Sequence, residues 1–239
     1  MKKMFLYALL VVGYTSSSFS QDIDPMAVGV FVAGKASTNV STAKVLFDNS
    51  FAVAPVSDFG VTGYIPLSKR KNMGVLLDVG MSSYSYTEKL KSDPSKEDSA
   101  FTHKYSYLTI GPSFTASYIT FGFNLGLPMG VIRKNGSGTE ITTIDGFRTL
   151  TSSQIDTTVY SDEKDNLKTT LEIRVGAMVP VLKTSLGRLN VFANAGYMIS
   201  NILKDEYFKL PSLKDANPSI FSFSIGVNFL FALEKPEEE

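Results

Sequence analysis

The stretch Ser219-Ile-Phe-Ser-Phe-Ser-Ile-Gly-Val-Asn-Phe-Leu-Phe231 alternates strictly. Phe221, Phe223, Ile225, Val227, Phe229 and Phe231 share one face; Ser222, Ser224, Gly226, Asn228 and Leu230 share the other. A period of two is that of a β-strand, whose successive side chains point to opposite faces. The second face decides what kind of sheet this is. It is small, mostly polar and uncharged, whereas the wet face of a soluble sheet carries Lys, Glu and Thr. Bulky apolar residues opposite Ser, Gly and Asn suit the wall of a small membrane barrel, apolar toward lipid and crowded within.

Seven more segments carry strand character: Met26–Lys35, Phe51–Leu67, Met73–Thr87, Phe101–Thr115, Ile119–Gly130, Thr169–Leu182 and Leu189–Asn201. The fifth is the clearest, with Ile119, Phe121, Phe123, Leu125, Leu127 and Met129 alternating with Thr120, Gly122, Asn124, Gly126, Pro128 and Gly130. The connections alternate in length. Short turns fall at Ser68–Asn72, Ala116–Ser117 and Lys183–Arg188; longer polar loops fall at Ala36–Ser50, Glu88–Ala100, Val131–Lys168 and Ile202–Pro218. Short turns at one end and long loops at the other is the asymmetry of outer-membrane barrels, with the turns periplasmic. The expected fold is all-β, an eight-stranded antiparallel up-and-down transmembrane β-barrel. An even strand count returns the C-terminus to the side of the N-terminus, here the periplasm.

The N-terminus has the three parts of a secretory signal. Lys2-Lys3 precede an apolar core from Met4 to Val12, and small residues follow to Ser20. With Ser18 and Ser20 at the −3 and −1 positions, cleavage is expected between Ser20 and Gln21. The core is well short of the ~20 residues that a spanning helix needs. No Cys follows it, so a lipid anchor is not expected, and no later stretch is long and apolar enough for a membrane helix. The chain then divides into a signal peptide (1–20), one barrel domain (21–233) and a short acidic periplasmic tail (234–239). The loop Val131–Lys168 carries Asp145-Gly146, a hairpin signal that would extend strands 5 and 6 beyond the membrane.

Composition removes several function classes. Twenty-three basic residues balance 23 acidic ones, with no basic run, so no nucleic-acid partner is expected. There are no cysteines, hence no disulfides, thiolate metal sites or cysteine nucleophiles. No cofactor is implied. His103 is the only histidine. Ser106 and Glu88 are its nearest candidate partners for a lipid-modifying hydrolase, but no motif supports the trio. A polar histidine at the outer rim is the expectation, and no catalytic or metal residue is assigned. Asn39-Val-Ser41 and Asn135-Gly-Ser137 match a glycosylation acceptor pattern that is short and common by chance; both read as ordinary loop residues.

Three charges fall on inward faces: Asp78 on strand 3, and Glu172 and Arg174 on strand 6. Charges inside a narrow barrel must be paired or wet. An eight-stranded barrel is just wide enough for side chains to fill it. These residues are therefore expected to form a luminal charge network that plugs the barrel, the alternative being the lining of a selective pore. Tyr84, Tyr86, Tyr105 and Tyr107 are expected to form an aromatic girdle at one membrane interface, with Tyr118 at the other. Phe147, Tyr207 and Phe208 are candidates for exposed loop contacts.

The chain resembles the small outer-membrane β-barrel family of Bacteroidota-type bacteria, the porin-family or PorT-like barrels. The resemblance rests on the Gln21 start, the eight amphipathic strands, the Ile110-Gly111-Pro112 step and the aromatic last strand. It implies an integral outer-membrane protein that meets outer-membrane lipid, periplasmic chaperones and the barrel-assembly machinery, with an extracellular or secretion-system partner left open. Such barrels usually end on an aromatic residue; here Phe231 precedes eight more residues, so recognition for insertion would be internal. The expected role is structural or surface-interacting and not catalytic. The alternatives are a narrow porin-like pore or an accessory of secretion, then a lipid-modifying barrel enzyme, then a soluble lipocalin-type barrel. The uncharged faces of strands 5 and 8 argue against the last.

Overall fold

The computed structural model describes residues 26–41, 47–68, 73–90, 100–140, 167–204 and 217–233. Eight strands follow in order: β1 (Ala27–Asn39), β2 (Phe47–Ser68), β3 (Met73–Leu90), β4 (Ala100–Ala116), β5 (Ile119–Asn135), β6 (Thr170–Thr184), β7 (Gly187–Met198) and β8 (Ile220–Ala232). Each pairs antiparallel with its neighbour in sequence. β8 returns to β1, from Ala27↔Ala232 to Asn39↔Ile220, and closes the ring. The protein is an eight-stranded antiparallel up-and-down barrel. Closure leaves no edge strand at the β1–β8 seam, the usual liability of an open sheet.

The polarity is that of a core turned inside out. Outward residues of the belt are apolar, and many are exposed: Val30 (54%) on β1, Val61 (53%) on β2, Ile110 (42%) on β4, Phe123 (50%) on β5 and Ile225 (58%) on β8. The inward rows hold buried Ser, Thr, Asn, Lys, Asp and Glu among a few large apolar rings.

Four departures from the expected strands share one cause. β1 runs to Asn39, β2 starts at Phe47, β3 runs to Leu90 and β5 runs to Asn135, all further toward the long-loop end than the alternation suggests. Backbone pairing continues there, but the outward face turns polar. Ser83 meets Ser106 at 3.3 Å, and Thr87 meets Thr102 at 2.9 Å. The apolar alternation stops with the belt, not with the strand. Two bulges lie in this region. β2 uses residues 52–57 where β3 uses 83–85, and Met129 on β5 is extra between the pairs Pro128↔Tyr107 and Gly130↔Ser106. Where β2 swings out, the Ser37 hydroxyl bridges β1 directly to the backbone of Ser85 on β3.

The lumen is filled in layers, which the inward row of β3 traverses in order. Leu76 belongs to an apolar floor near the short turns, with Ala27, Tyr64, Met178 and Leu230. Ser82 lies at a charged middle layer. Tyr84 and Tyr86 belong to an apolar roof with Tyr105, Tyr107, Leu167, Met198, Ile202, Leu203 and Ile220. The expected aromatic girdle is therefore not one: these four tyrosines are 0–1% exposed and point inward. The reason is parity. Tyr84 and Tyr86 continue the row of Ser82, and Tyr107 and Tyr105 continue that of Thr109. Facing inward they bury their rings against Met198 and the loop stems. Tyr118 lies in the short turn before β5.

Candidate functional site

The middle layer of the lumen brings two cations and two anions into close contact. β6 supplies Glu172 and Arg174 two residues apart, hence on one face. The Arg174 Nε donates to Glu172 Oε2 at 2.7 Å. Glu172 also accepts from the Tyr84 hydroxyl at 2.8 Å and the Ser222 hydroxyl at 2.7 Å. β7 makes room for the carboxylate with Gly196, whose position carries no Cβ to strike it. Glu172 is 1% exposed. A buried carboxylate is tolerable only with its lone pairs used, and here three donors converge on it.

A second carboxylate completes the cluster. Asp58 on β2 pairs with Lys35 of β1 at 2.9 Å and accepts from Ser82 at 2.9 Å. Its other oxygen lies 3.7 Å from Arg174 Nη2. Lys35 also donates to Ser82 Oγ at 2.7 Å, and its ammonium sits 3.8 Å from the Tyr84 ring centroid. Five strands (β1, β2, β3, β6 and β8) thus meet through two cations and two anions across the lumen. Such a cluster ties opposite walls together and occupies the cross-section.

The structure brings Glu172 and Arg174 together. Asp78 stands on the same inward side, between Thr62 and Gly111 in the register, but outside these close ion pairs. Lys35 and Asp58 were not singled out from the sequence. The signal was available: both have the parity opposite to the apolar rows of Val32 and Phe59. Ser20, Gln21, Phe147, Tyr207 and Phe208 lie outside the described residues.

At the long-loop end, His103 is buried and its Nε2 lies 2.8 Å from Glu88 Oε1. Its ring stacks on Tyr86 at 4.9 Å. Ser106 is on the opposite, outward face of β4, where it meets Ser83. The hydrolase trio is therefore not assembled, and His103 is an interior residue instead of a rim residue. The two glycosylation-like asparagines use their side chains locally: Asn39 Oδ1 accepts from the backbone of Ser41 and Ser219, and Asn135 Oδ1 accepts from Ser137 and Thr139.

No family model matches the chain, and no curated protein matches it. Among solved structures the chain is similar to Ail, the attachment invasion locus protein of Yersinia pestis, at 12% identity and a TM-score of 0.40, covering 87% of this chain and 100% of that one. The same protein in complex with the heparin analogue sucrose octasulfate gives 12% identity and a TM-score of 0.39, with 87% and 99% covered. The outer membrane protein OprG from Pseudomonas aeruginosa gives 8% identity and a TM-score of 0.31, with 89% and 97% covered. The strand pairing itself, and not these likenesses, defines the architecture described above.

Proposed function

We propose that the chain is an integral outer-membrane β-barrel with a closed lumen and a structural or surface-interaction role, without catalysis. One observation carries this reading: the closed ring is apolar and exposed outside, charged and buried inside. In water that arrangement would expose a continuous hydrophobic surface, which soluble monomers avoid. In a bilayer it satisfies every strand, because a closed barrel leaves no backbone group facing lipid unpaired. The dimensions agree. From Ile119 to Met129 on β5 every outward residue is apolar and exposed. Ten steps of ~3.4 Å, tilted by ~45°, span ~24 Å, close to the ~25 Å apolar band of outer-membrane barrels.

The rest of the reading follows from the sequence. Export uses the Lys2-Lys3 signal, with cleavage between Ser20 and Gln21. Insertion uses periplasmic chaperones and the barrel-assembly machinery, and both termini stay periplasmic with the short turns. The porin-family, PorT-like resemblance gives the lineage. The long-loop end then faces outward, with Phe147, Tyr207 and Phe208 as contact candidates for an extracellular or secretion-system partner. A narrow pore is the second reading, and one observation favours it: the Arg174 side chain keeps 16% exposure inside the lumen. The ion pairs across the cross-section and the tyrosine roof weigh more.

The test is planar-bilayer recording of the refolded protein, with fractionation of the native one. Outer-membrane recovery without steady conductance is expected. Steady conductance would hand the role to the pore reading, and recovery in the soluble periplasm would overturn the membrane placement.

A further inference from the structure

Beyond the apolar belt, the outer wall differs from one side of the barrel to the other. On β6, β7 and β8 the outward row stays apolar to the long-loop end of the strand, with Leu171, Tyr197 and Phe221. On β3, β4 and β5 it turns polar several residues earlier. The register aligns that polar part in rows that cross the three strands. First come Ser83 and Ser106, then Lys104, then Thr87, Thr102 and Lys134. No acidic residue stands outward in these rows. Glu88, the nearest carboxylate on β3, is turned inward to His103 at 2.8 Å.

The patch is a surface of hydrogen-bond donors. Neither Lys104 nor Lys134 has a carboxylate within ion-pair distance among the described residues. Glu140, bridged through the backbone to Lys134, and Asp48 on β2 stand only at its outer border. Ser83 bonds Ser106 at 3.3 Å, and Thr87 bonds Thr102 at 2.9 Å. Each of these pairs uses one hydroxyl hydrogen and leaves the other free to donate. The level also fits a lipid headgroup. Leu108, 37% exposed, is the last apolar outward residue of β4 before Ser106. Lys104 follows four residues beyond it, about 10 Å higher along the membrane normal for strands tilted by ~45°. A headgroup layer is roughly 5–8 Å thick. The flexible lysine stem lets the ammonium lean back toward it.

We propose that the outward face of β3–β5 at the long-loop end binds the phosphate-bearing headgroup of an outer-leaflet glycolipid, with Lys104 and Lys134 as its cations and the serine and threonine hydroxyls as neutral donors. This rests on the membrane placement proposed above, which turns the long-loop end outward. The partner follows from the donors. Ammonium and hydroxyl groups without outward carboxylates among them suit a phosphate, which offers acceptor oxygens and negative charge together. A glycolipid adds sugar hydroxyls for the two hydroxyl rows, while its acyl chains lie along the belt below Ser106. A lipid with a small anionic headgroup would reach the lysines without engaging those rows.

The experiment has two steps, both on the refolded full-length mature chain. The first is insertion into phosphatidylcholine vesicles, read by protease protection. Failure there would overturn the membrane reading and this inference with it. The second is native mass spectrometry from detergent micelles titrated with bisphosphorylated lipid A, its dephosphorylated form or phosphatidylglycerol. The expected result is retention of bisphosphorylated lipid A in preference to the other two. Lys104→Gln and Lys134→Gln are each expected to weaken that retention about fivefold, the effect of one lysine at an anionic lipid surface. Lys104→Arg keeps the charge and should keep the binding. Lys183→Gln, at the short-turn end, should leave it unchanged. Insertion together with equal retention of the dephosphorylated form, or undiminished binding by Lys104→Gln, would overturn this inference and leave the membrane reading standing. Phosphatidylglycerol retained as tightly as lipid A would overturn the choice of a glycolipid.

Discussion

At the scale of single residues, the account rests on how Glu172 and Arg174 are held. Removing one partner of a buried ion pair leaves the other stranded, at a cost of about 3–5 kcal/mol in a dry site. Glu172→Gln and Arg174→Gln are each expected to lower unfolding stability by that order, and the double variant by less than their sum. A double-mutant cycle from denaturant unfolding reads this directly; additive losses would mean that the two side chains do not interact. Tyr84→Phe keeps the ring in the roof and removes the 2.8 Å hydrogen bond to Glu172. A bond to a charged group contributes about 1.5–3 kcal/mol, and the loss should shrink sharply in the Glu172→Gln background. At this scale the sequence was half legible. Parity told which side chains face inward, including Glu172 and Arg174. It did not tell level along the axis, so it could not say that Lys35 and Asp58, far apart in sequence, stand beside Arg174 while Asp78 is left aside. Parity also assigned Tyr107 to the inward row, and the habit of placing tyrosines at membrane interfaces overrode it.

At the scale of strands, the outward row of β4 contains its own boundary. Ile110 belongs to the apolar belt and is 42% exposed; Ser106 lies beyond it and meets Ser83. Ile110→Arg is expected to hinder folding into bilayers by about 2–4 kcal/mol, the cost of Arg near a bilayer midplane, while Ser106→Arg should cost about 1 kcal/mol or less. Refolding yields in lipid vesicles check the difference, and equal effects would move the boundary. Phe123→Arg should behave like Ile110→Arg. Asn124→Arg, one residue along on the inward face, is expected to be costly as well: Asn124 is 3% exposed and packs over Gly111, so the larger side chain has no space. The eight strands and the order of short and long connections were readable because the belt imposes a period of two. The strand ends toward the long loops were not, because there both faces are polar or aromatic and the alternation fades while the pairing persists. The bulges at 52–57 and at Met129 had no signal of their own, since an extra residue in one strand shows only against its partner.

At the scale of the whole molecule, closure, inverted polarity and a filled lumen belong to one design. A ring this small must be packed with side chains, and side chains that cannot be apolar on both faces of a strand become the polar, paired interior seen here. The chain contains no cysteine, so single-cysteine variants can report depth without a background. The most direct test of the central claim is fluorescence quenching of labels placed at Ile110, Phe123 and Val227 in the belt and at Ser106 beyond it, in vesicles carrying lipid-attached nitroxides. The account predicts strong quenching by bilayer-buried nitroxide and protection from aqueous iodide at the three belt positions, with the reverse at Ser106. Iodide access at all four positions, with no quenching from the bilayer, would mean that the apolar surface does not face lipid and would contradict the account.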